Sequence, residues 1–285
     1  MALGATFERG HDVVLTAHSH RQPGDITLDL GDAAAATALL QSQRPDVVLV
    51  AGAMCHVDLC EQEPDLCRRI NVEGPAVIAE YARRAGTRVV LFSTDHVFDG
   101  GRRSYAEEDE VHPLSVYARS KMEAENAIRG IIPAQHLIIR TGWVYGPDRQ
   151  RRNFILRLID RLRQGETVDV PADQWGCPTY TDDLAQAVRF LVDEGATGTF
   201  HATGPDLIDR ASLARRVCDR FDLDADRVMP RPTTALGQAA RRSLRVLLDC
   251  SKLSQTGSPD FRGISAGLDA LAAWSASVGE CEEAR

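Results

Sequence analysis

Apolar residues along this chain come as short unbroken runs that alternate with longer stretches of helical spacing. "DVVLTA" at 12–17, "VVLVA" at 47–51, "TRVVLFST" at 87–94 and "AQHLIIRTGWVYG" at 134–146 read as strands. Between them, "PDLCRRINVEGPAVIAEYARRAG" carries helical spacing and stops at Gly86, and "YARSKMEAENAIRG" reads as a helix closed by Gly130. Continuous rather than alternating apolar runs are what parallel strands covered on both faces require. Strand, helix, strand repeated in this way predicts an α/β fold, a doubly wound parallel sheet with right-handed crossovers.

Beyond Gly146 the pattern loosens. "NFILRLIDRLRQG" predicts an amphipathic helix, "TVDV" a short strand, and "YTDDLAQAVRFLVDEG" a helix with Thr181 as N-cap. "TGTFHATG" reads as a strand entering a loop, "DRASLARRVCDRFDLD" as a helix, and "GISAGLDALAAWSA" as the last one. Residues 1–145 are therefore expected to form the main sheet domain. Residues 146–285 are expected to form mainly a smaller lobe at the sheet's carboxyl edge, with some segments returning to the main domain.

Composition narrows the field. The 285 residues carry 41 acidic and 33 basic side chains, a net charge of -8, which argues against a nucleic-acid partner. No apolar stretch reaches membrane-spanning length and the start lacks a signal-peptide core, so a cytoplasmic protein is expected. Of seven cysteines, Cys55, Cys60 and Cys67 lie at spacings of five and seven, outside any zinc pattern. They and the scattered Cys177, Cys218, Cys250 and Cys281 read as reduced core fillers, with no metal expected.

Chemistry concentrates around "STDHVFDG" at 93–100 and "YARSK" at 117–121. Tyr117 and Lys121 stand four apart, on one face of a helix, where the ammonium is expected to lower the phenol's pKa and make it a usable acid. Thr94, at a strand's carboxyl end, can hold a substrate oxygen. The competing view is a surface helix with a chance pairing of Tyr and Lys; the strand-end hydroxyl upstream weighs against it.

"STDHVFDG", "HPLSVYARSK", "IIRTGWVYG" followed by "NF", "DQWGCPTYTDDLA", "FHATG" and "LDCSKL" together resemble, in order, the signatures of dTDP-4-dehydrorhamnose reductases, which are extended short-chain dehydrogenase/reductases with a Rossmann sheet. The resemblance runs from about residue 8 to the C-terminus. It implies Thr94, Tyr117 and Lys121 as catalytic hydroxyl, acid and lysine, with Tyr117 and Lys121 also meeting the nicotinamide ribose. It implies cofactor contacts at Asp29, Leu30, Ala51, Gly52 and Ala53. Substrate contacts are implied at Asp95, Trp143, Asn153 and Asp173, and at Cys55 and His96, where the family usually has Thr and Tyr. For Trp143 the implied role is a stacking platform, with core filling as the alternative. His96 could titrate or touch substrate, or be a variant without chemical duty. "VAG" at 50–52 replaces the usual Asn-Ala-Ala, and "RRSLRVLLDCSKL" lacks the Asn-Ser of many members; these departures bear on which ketone is accepted.

A dinucleotide site of this kind opens with a strand and a glycine-rich turn feeding the first helix, whose backbone meets the pyrophosphate. "MALGATFERGHDVVLTA" starts part-way along that helix, so the strand and turn are expected to precede Met1 in a longer natural chain. After the second strand comes "AHSHR" rather than an acidic residue, and Ser19 and Arg21 can receive a 2′-phosphate. NADPH is therefore expected, with NADH the alternative. The reading is a cytoplasmic sugar-nucleotide ketoreductase, compatible with a homodimer. Its rivals are a non-catalytic subunit of the same fold and a sugar-nucleotide epimerase or dehydratase.

Overall fold

A computed structural model describes residues 2–19 and 22–283. The centre is a parallel sheet in the order β10-β5-β4-β3, formed by Gly198–His201, His136–Thr141, Arg88–Thr94 and Val47–Val50. Register runs Val47↔Arg88, Val89↔His136 and Thr94↔Thr141 across the inner ladders. Every residue of β5 is buried, as are Val89, Val90 and Leu91 of β4. That two-sided burial is why these strands read as unbroken apolar runs. The predicted doubly wound parallel arrangement is the one observed.

The opening strand is shorter than expected. Only β1 (Thr16–Ala17) forms, paired in parallel with β2 (Ile26–Thr27) as a separate two-stranded ladder. Val14 and Leu15 of the predicted strand remain 47% and 40% exposed. Among the described residues β3 has a ladder partner on its β4 side only.

Helices cover both faces. α2 (Ala33–Gln43), α5 (Gly74–Ala85) and α6 (Val116–Ile131) share one apolar cluster with β3, β4 and β5. α1 (Ala2–Phe7) and α8 (Thr181–Asp193) line the other face. α6 runs past Gly130, with Ile132 as its C-cap, because Ile128 and Ile132 are both buried and packing carries the helix beyond the glycine. α8 begins at Thr181 itself, with Tyr180 as N-cap and no side-chain cap, so the expected capping by Thr181 does not occur. The predicted helix over 64–86, entered from α3 (Val57–Gln62), divides into α4 (Pro64–Arg68), a π-helical turn at Arg69–Glu73, and α5 closed by Gly86 at φ +77°. At Gly74 the chain touches Leu30: a Cβ there would lie 2.4 Å from the Leu30 carbonyl oxygen.

The C-terminal half forms its own apolar cluster. α7 (Phe154–Arg163), α9 (Arg210–Phe221) and the last helix, Ile264–Glu283, enclose a parallel pair made by β7 (Val168–Pro171) and β12 (Val228–Arg231). Smaller ladders join β6 (Val144–Tyr145) to β9 (Thr179–Tyr180) and β8 (Trp175–Gly176) to β11 (Ile208–Asp209). β10 pairs with β5 in the main sheet, and α8 packs against that sheet.

Beneath the carboxyl end of the sheet sits a buried ion cluster. The fully buried Glu125 carboxylate accepts hydrogen bonds from Ser93 Oγ (2.5 Å), Arg140 Nε and Nη2 (3.0 and 2.8 Å) and Arg129 Nη2 (2.8 Å). Burial pushes this carboxyl's pKa up, but the guanidiniums and the serine outweigh it and hold it below the usual range. His201 adjoins Arg140 at 3.4 Å and is kept neutral, pulled down to about 4 by burial and by that guanidinium. It is a structural histidine.

Candidate active site

The carboxyl end of β4 and the start of α6 bring Thr94 and Tyr117 within hydrogen-bond reach, with Lys121 one turn further along α6. Ser115 caps α6 by accepting the Ala118 N–H at 3.2 Å, and Glu61 takes the Val116 N–H at 2.8 Å, so the first turn is held at two points. Ala118, Lys121, Glu125 and Ile128 form the buried stripe, which carries Lys121 inward to 3% exposure. Thr94 ends β4 with 5% exposure; its hydroxyl donates to Asp95 Oδ1 at 3.1 Å and accepts the His96 N–H at 3.2 Å.

Electrostatics at Tyr117 differ from the expectation. Burial, reinforced by nearby Cys55 and Asp95, pushes the phenol's pKa up, and a hydrogen bond with Thr94 offsets only part of the rise. The cost of burying a phenolate exceeds what the Thr94 hydrogen bond returns, so Tyr117 rests as a protonated acid. Lys121 is itself drawn down to about 8 by burial, against the pull of the Glu125 carboxylate. Its ammonium has no hydrogen-bond partner among the described residues, which leaves its donors free for a ligand. The charged form exists below that pKa and is lost above it. The apparent kcat/KM is therefore expected to fall as pH rises through about 8. A profile still flat well above that pH would detach Lys121 from turnover.

The groups rest on a buried network that sequence reasoning missed. Asn71, in the π-helical turn and 1% exposed, accepts the Met54 N–H at 2.8 Å and donates to Met54 O and Ser120 Oγ, each at 3.0 Å. Ser120 Oγ in turn donates to Tyr117 O at 2.7 Å. One amide thus ties the loop after β3 to the helix that carries Tyr117 and Lys121. π-turns occur often at functional sites, but nothing in linear spacing announces one. Cys60 and Cys67, both fully buried, belong to the same network.

A cleft of about 850 Å³ is lined by Cys55, Asp95, His96, Trp143, Trp175, Arg157 and Arg210, among others. Asp95 is 6% exposed and presses on Gly142, where a Cβ would sit 2.4 Å from its Oδ2. His96 stands edge-on to Tyr117 with ring centroids 6.2 Å apart. Burial and the positive charges of Arg242 and Arg210 lower its pKa against the pull of Asp95, so it is neutral at pH 7 and does not titrate there. Trp143 lies in the left-handed region at φ +47°, its indole packed against Gly176 and stacked at 3.5 Å under Arg210.

Two substrate positions fall off the cleft. Asn153 caps α7 by accepting the Leu156 N–H at 3.0 Å and donates to Gly146 O at 3.1 Å, so both ends of its amide are engaged structurally. The Asp173 carboxylate takes the Thr233 N–H and hydroxyl, at 3.0 and 2.5 Å, and pins two loops together. Its neighbours Gln174 and Trp175 reach the cleft instead.

On the cofactor side, Ala51 and Gly52 are exposed in the loop after β3, and Ala53 is half-buried. Leu30 packs against Gly52, while the Asp29 carboxylate closes a turn onto the Gly31 N–H at 2.8 Å. Ser19 is exposed just after β1; Arg21 lies outside the described residues. Thr141, the register partner of Thr94, holds a buried hydroxyl without a hydrogen-bond partner among the described residues. The Thr141 hydroxyl and the unpartnered Lys121 ammonium fit the nicotinamide and ribose half of a dinucleotide. The described residues contain no glycine-rich strand-to-helix turn for its pyrophosphate.

The RmlD substrate binding domain model matches residues 2–274. A dTDP-4-keto-6-deoxy-D-glucose reductase of Streptomyces niveus is 33% identical over 267 residues, 92% of each chain. The crystal structure of a dTDP-4-dehydrorhamnose reductase from Clostridium acetobutylicum superposes with a TM-score of 0.83 at 30% identity, covering 95% of both chains. That of the Bacillus anthracis dTDP-4-dehydrorhamnose reductase, in complex with NADP, gives 0.81 at 25% identity and 94% coverage of both. A match of this extent makes this chain a member of the RmlD substrate binding domain family.

Proposed function

We propose that the protein reduces the 4-keto group of a dTDP-4-keto-6-deoxyhexose with NADPH, a step of deoxysugar formation. The observation that carries this reading is the Thr94–Tyr117 hydrogen bond beside His96 of the cleft wall, one helical turn from Lys121, in a chain similar to dTDP-sugar ketoreductases. NADPH, when bound, supplies the hydride. Lys121 would hold its nicotinamide ribose, Asp29, Leu30 and the loop at 51–53 its adenine and ribose, with Ser19 and Arg21 toward the 2′-phosphate.

This chain's own groups handle the proton. Thr94, now donating to Asp95, can turn its hydroxyl to the substrate carbonyl oxygen and align it. Tyr117, held protonated by burial, gives its proton to that oxygen. The Lys121 ammonium offsets the charge left on the phenol. Asp95, His96 and Cys55 line the sugar end of the cleft.

The test is NADPH oxidation in the presence of a dTDP-4-keto-6-deoxyhexose, with the sugar product identified by mass. Cofactor consumption matched by reduced sugar supports the reading. A protein that binds both ligands yet consumes no NADPH would sink it.

A further inference from the structure

Of the four arginines that line the cleft, two are held by carboxylates. Arg242 holds Asp58 with contacts of 3.0 and 2.7 Å, and Arg161 holds Glu166 at 2.6 Å. Arg210 differs. Its guanidinium carbon lies 3.5 Å from the Trp143 ring centroid and 4.6 Å from that of Phe154. No carboxylate or carbonyl among the described residues accepts its side-chain N–H groups. Stacking on rings occupies the faces of a guanidinium and leaves its in-plane N–H donors free. A part-buried cation with open donors, in a cleft wall, is arranged for an anion that comes from outside.

We propose that Arg210 receives the diphosphate of the sugar nucleotide, and that Trp143 is a positioning residue which holds that guanidinium in place. The inference rests on the nucleotide-sugar reading of this cleft. Several observations converge on it. Arg157 lines the same wall, also without a carboxylate partner among the described residues, and adds a second positive charge at the exposed rim. Burial and the charges of Arg157 and Arg242 weigh against the Arg210 cation, while Asp95 favours it. A bound dianion would relieve that repulsion. Arg210 also lines the same cleft as Asp95 and His96, and the His96 ring centroid lies 6.2 Å from that of Tyr117. Trp143 cannot at once offer its covered indole to a base. Trp175, 40% exposed in the same wall, is the aromatic left free to do so.

Titration calorimetry of the full chain with dTDP and with thymidine separates the possibilities without any turnover. Wild type is expected to bind dTDP far more tightly than thymidine. Arg210→Gln should weaken dTDP by about 10- to 100-fold and leave thymidine unchanged, since charge-assisted hydrogen bonds to the diphosphate are lost. Arg210→Lys, a point charge without the planar fork, should fall between. Trp143→Phe should weaken dTDP but not thymidine if the indole acts through Arg210. Parallel loss of both ligands in that variant would make Trp143 a direct base contact and overturn its assigned role. Unchanged dTDP affinity in Arg210→Gln, with an unshifted melting temperature, would overturn the assignment of Arg210. If wild type binds no dTDP at all, the nucleotide-sugar reading itself falls, and this inference with it.

Discussion

Replacing Tyr117 with Phe is expected to lower kcat for ketone reduction by about 10²- to 10⁴-fold, the range a positioned general acid contributes. The ring's packing against His96 is kept, because only the hydroxyl is removed. Affinity for dTDP should therefore stay at the wild-type level, and calorimetry on the variant provides that control. Since burial holds the phenol protonated, the loss should be uniform from acid to neutral pH rather than confined to one limb. A Tyr117→Phe enzyme that keeps most of its turnover would remove the phenol from the proton path and leave Thr94 or water to deliver it.

Replacing Glu125 with Gln is expected to destabilise the fold by about 3–5 kcal/mol, because removing one partner of a buried ion pair strands the other charge. Arg140, at 2% exposure, would be that stranded charge; Arg129 is exposed enough to turn outward. The corresponding fall in Tm is on the order of 10 °C for a chain of this size. The double variant Glu125→Leu with Arg140→Met should recover much of the loss, since well-packed apolar pairs often replace buried ion pairs at little cost. Thermal melts of the single and double variants check both statements. A single variant within about 0.5 kcal/mol of wild type would show that water reaches the cluster and screens it.

What could be read from the chain beforehand follows from how local each signal is. Strands β4 and β5 announced themselves because two-sided burial demands unbroken apolar runs. Tyr117 and Lys121 were legible because helical spacing alone places them on one face. Thr181 and Gly130 misled because each is a good local signal overruled by packing: the helix behind Gly130 continues to keep Ile132 buried, and α8 starts without a side-chain cap. Asn153 and Asp173 share stretches with groups that reach the cleft, yet their side chains turn to a helix end and to Thr233. Arg210 and Asn71 were invisible for the opposite reason. Their meaning lies in partners distant in sequence, Trp143 for one and Met54 with Ser120 for the other.

The left-handed backbone at Trp143 has a consequence for how ligand arrives. A non-glycine residue in that region carries a conformational penalty, and it persists only where surroundings hold it. Here Gly142 admits Asp95 on one side and Gly176 admits the indole on the other. The aromatic seat is consequently rigid before anything enters, so little ordering remains to be done at the moment of contact. Association with a nucleotide sugar should then follow simple one-step kinetics, limited by encounter and salt-sensitive through the arginines at the rim, with no slow isomerisation afterwards.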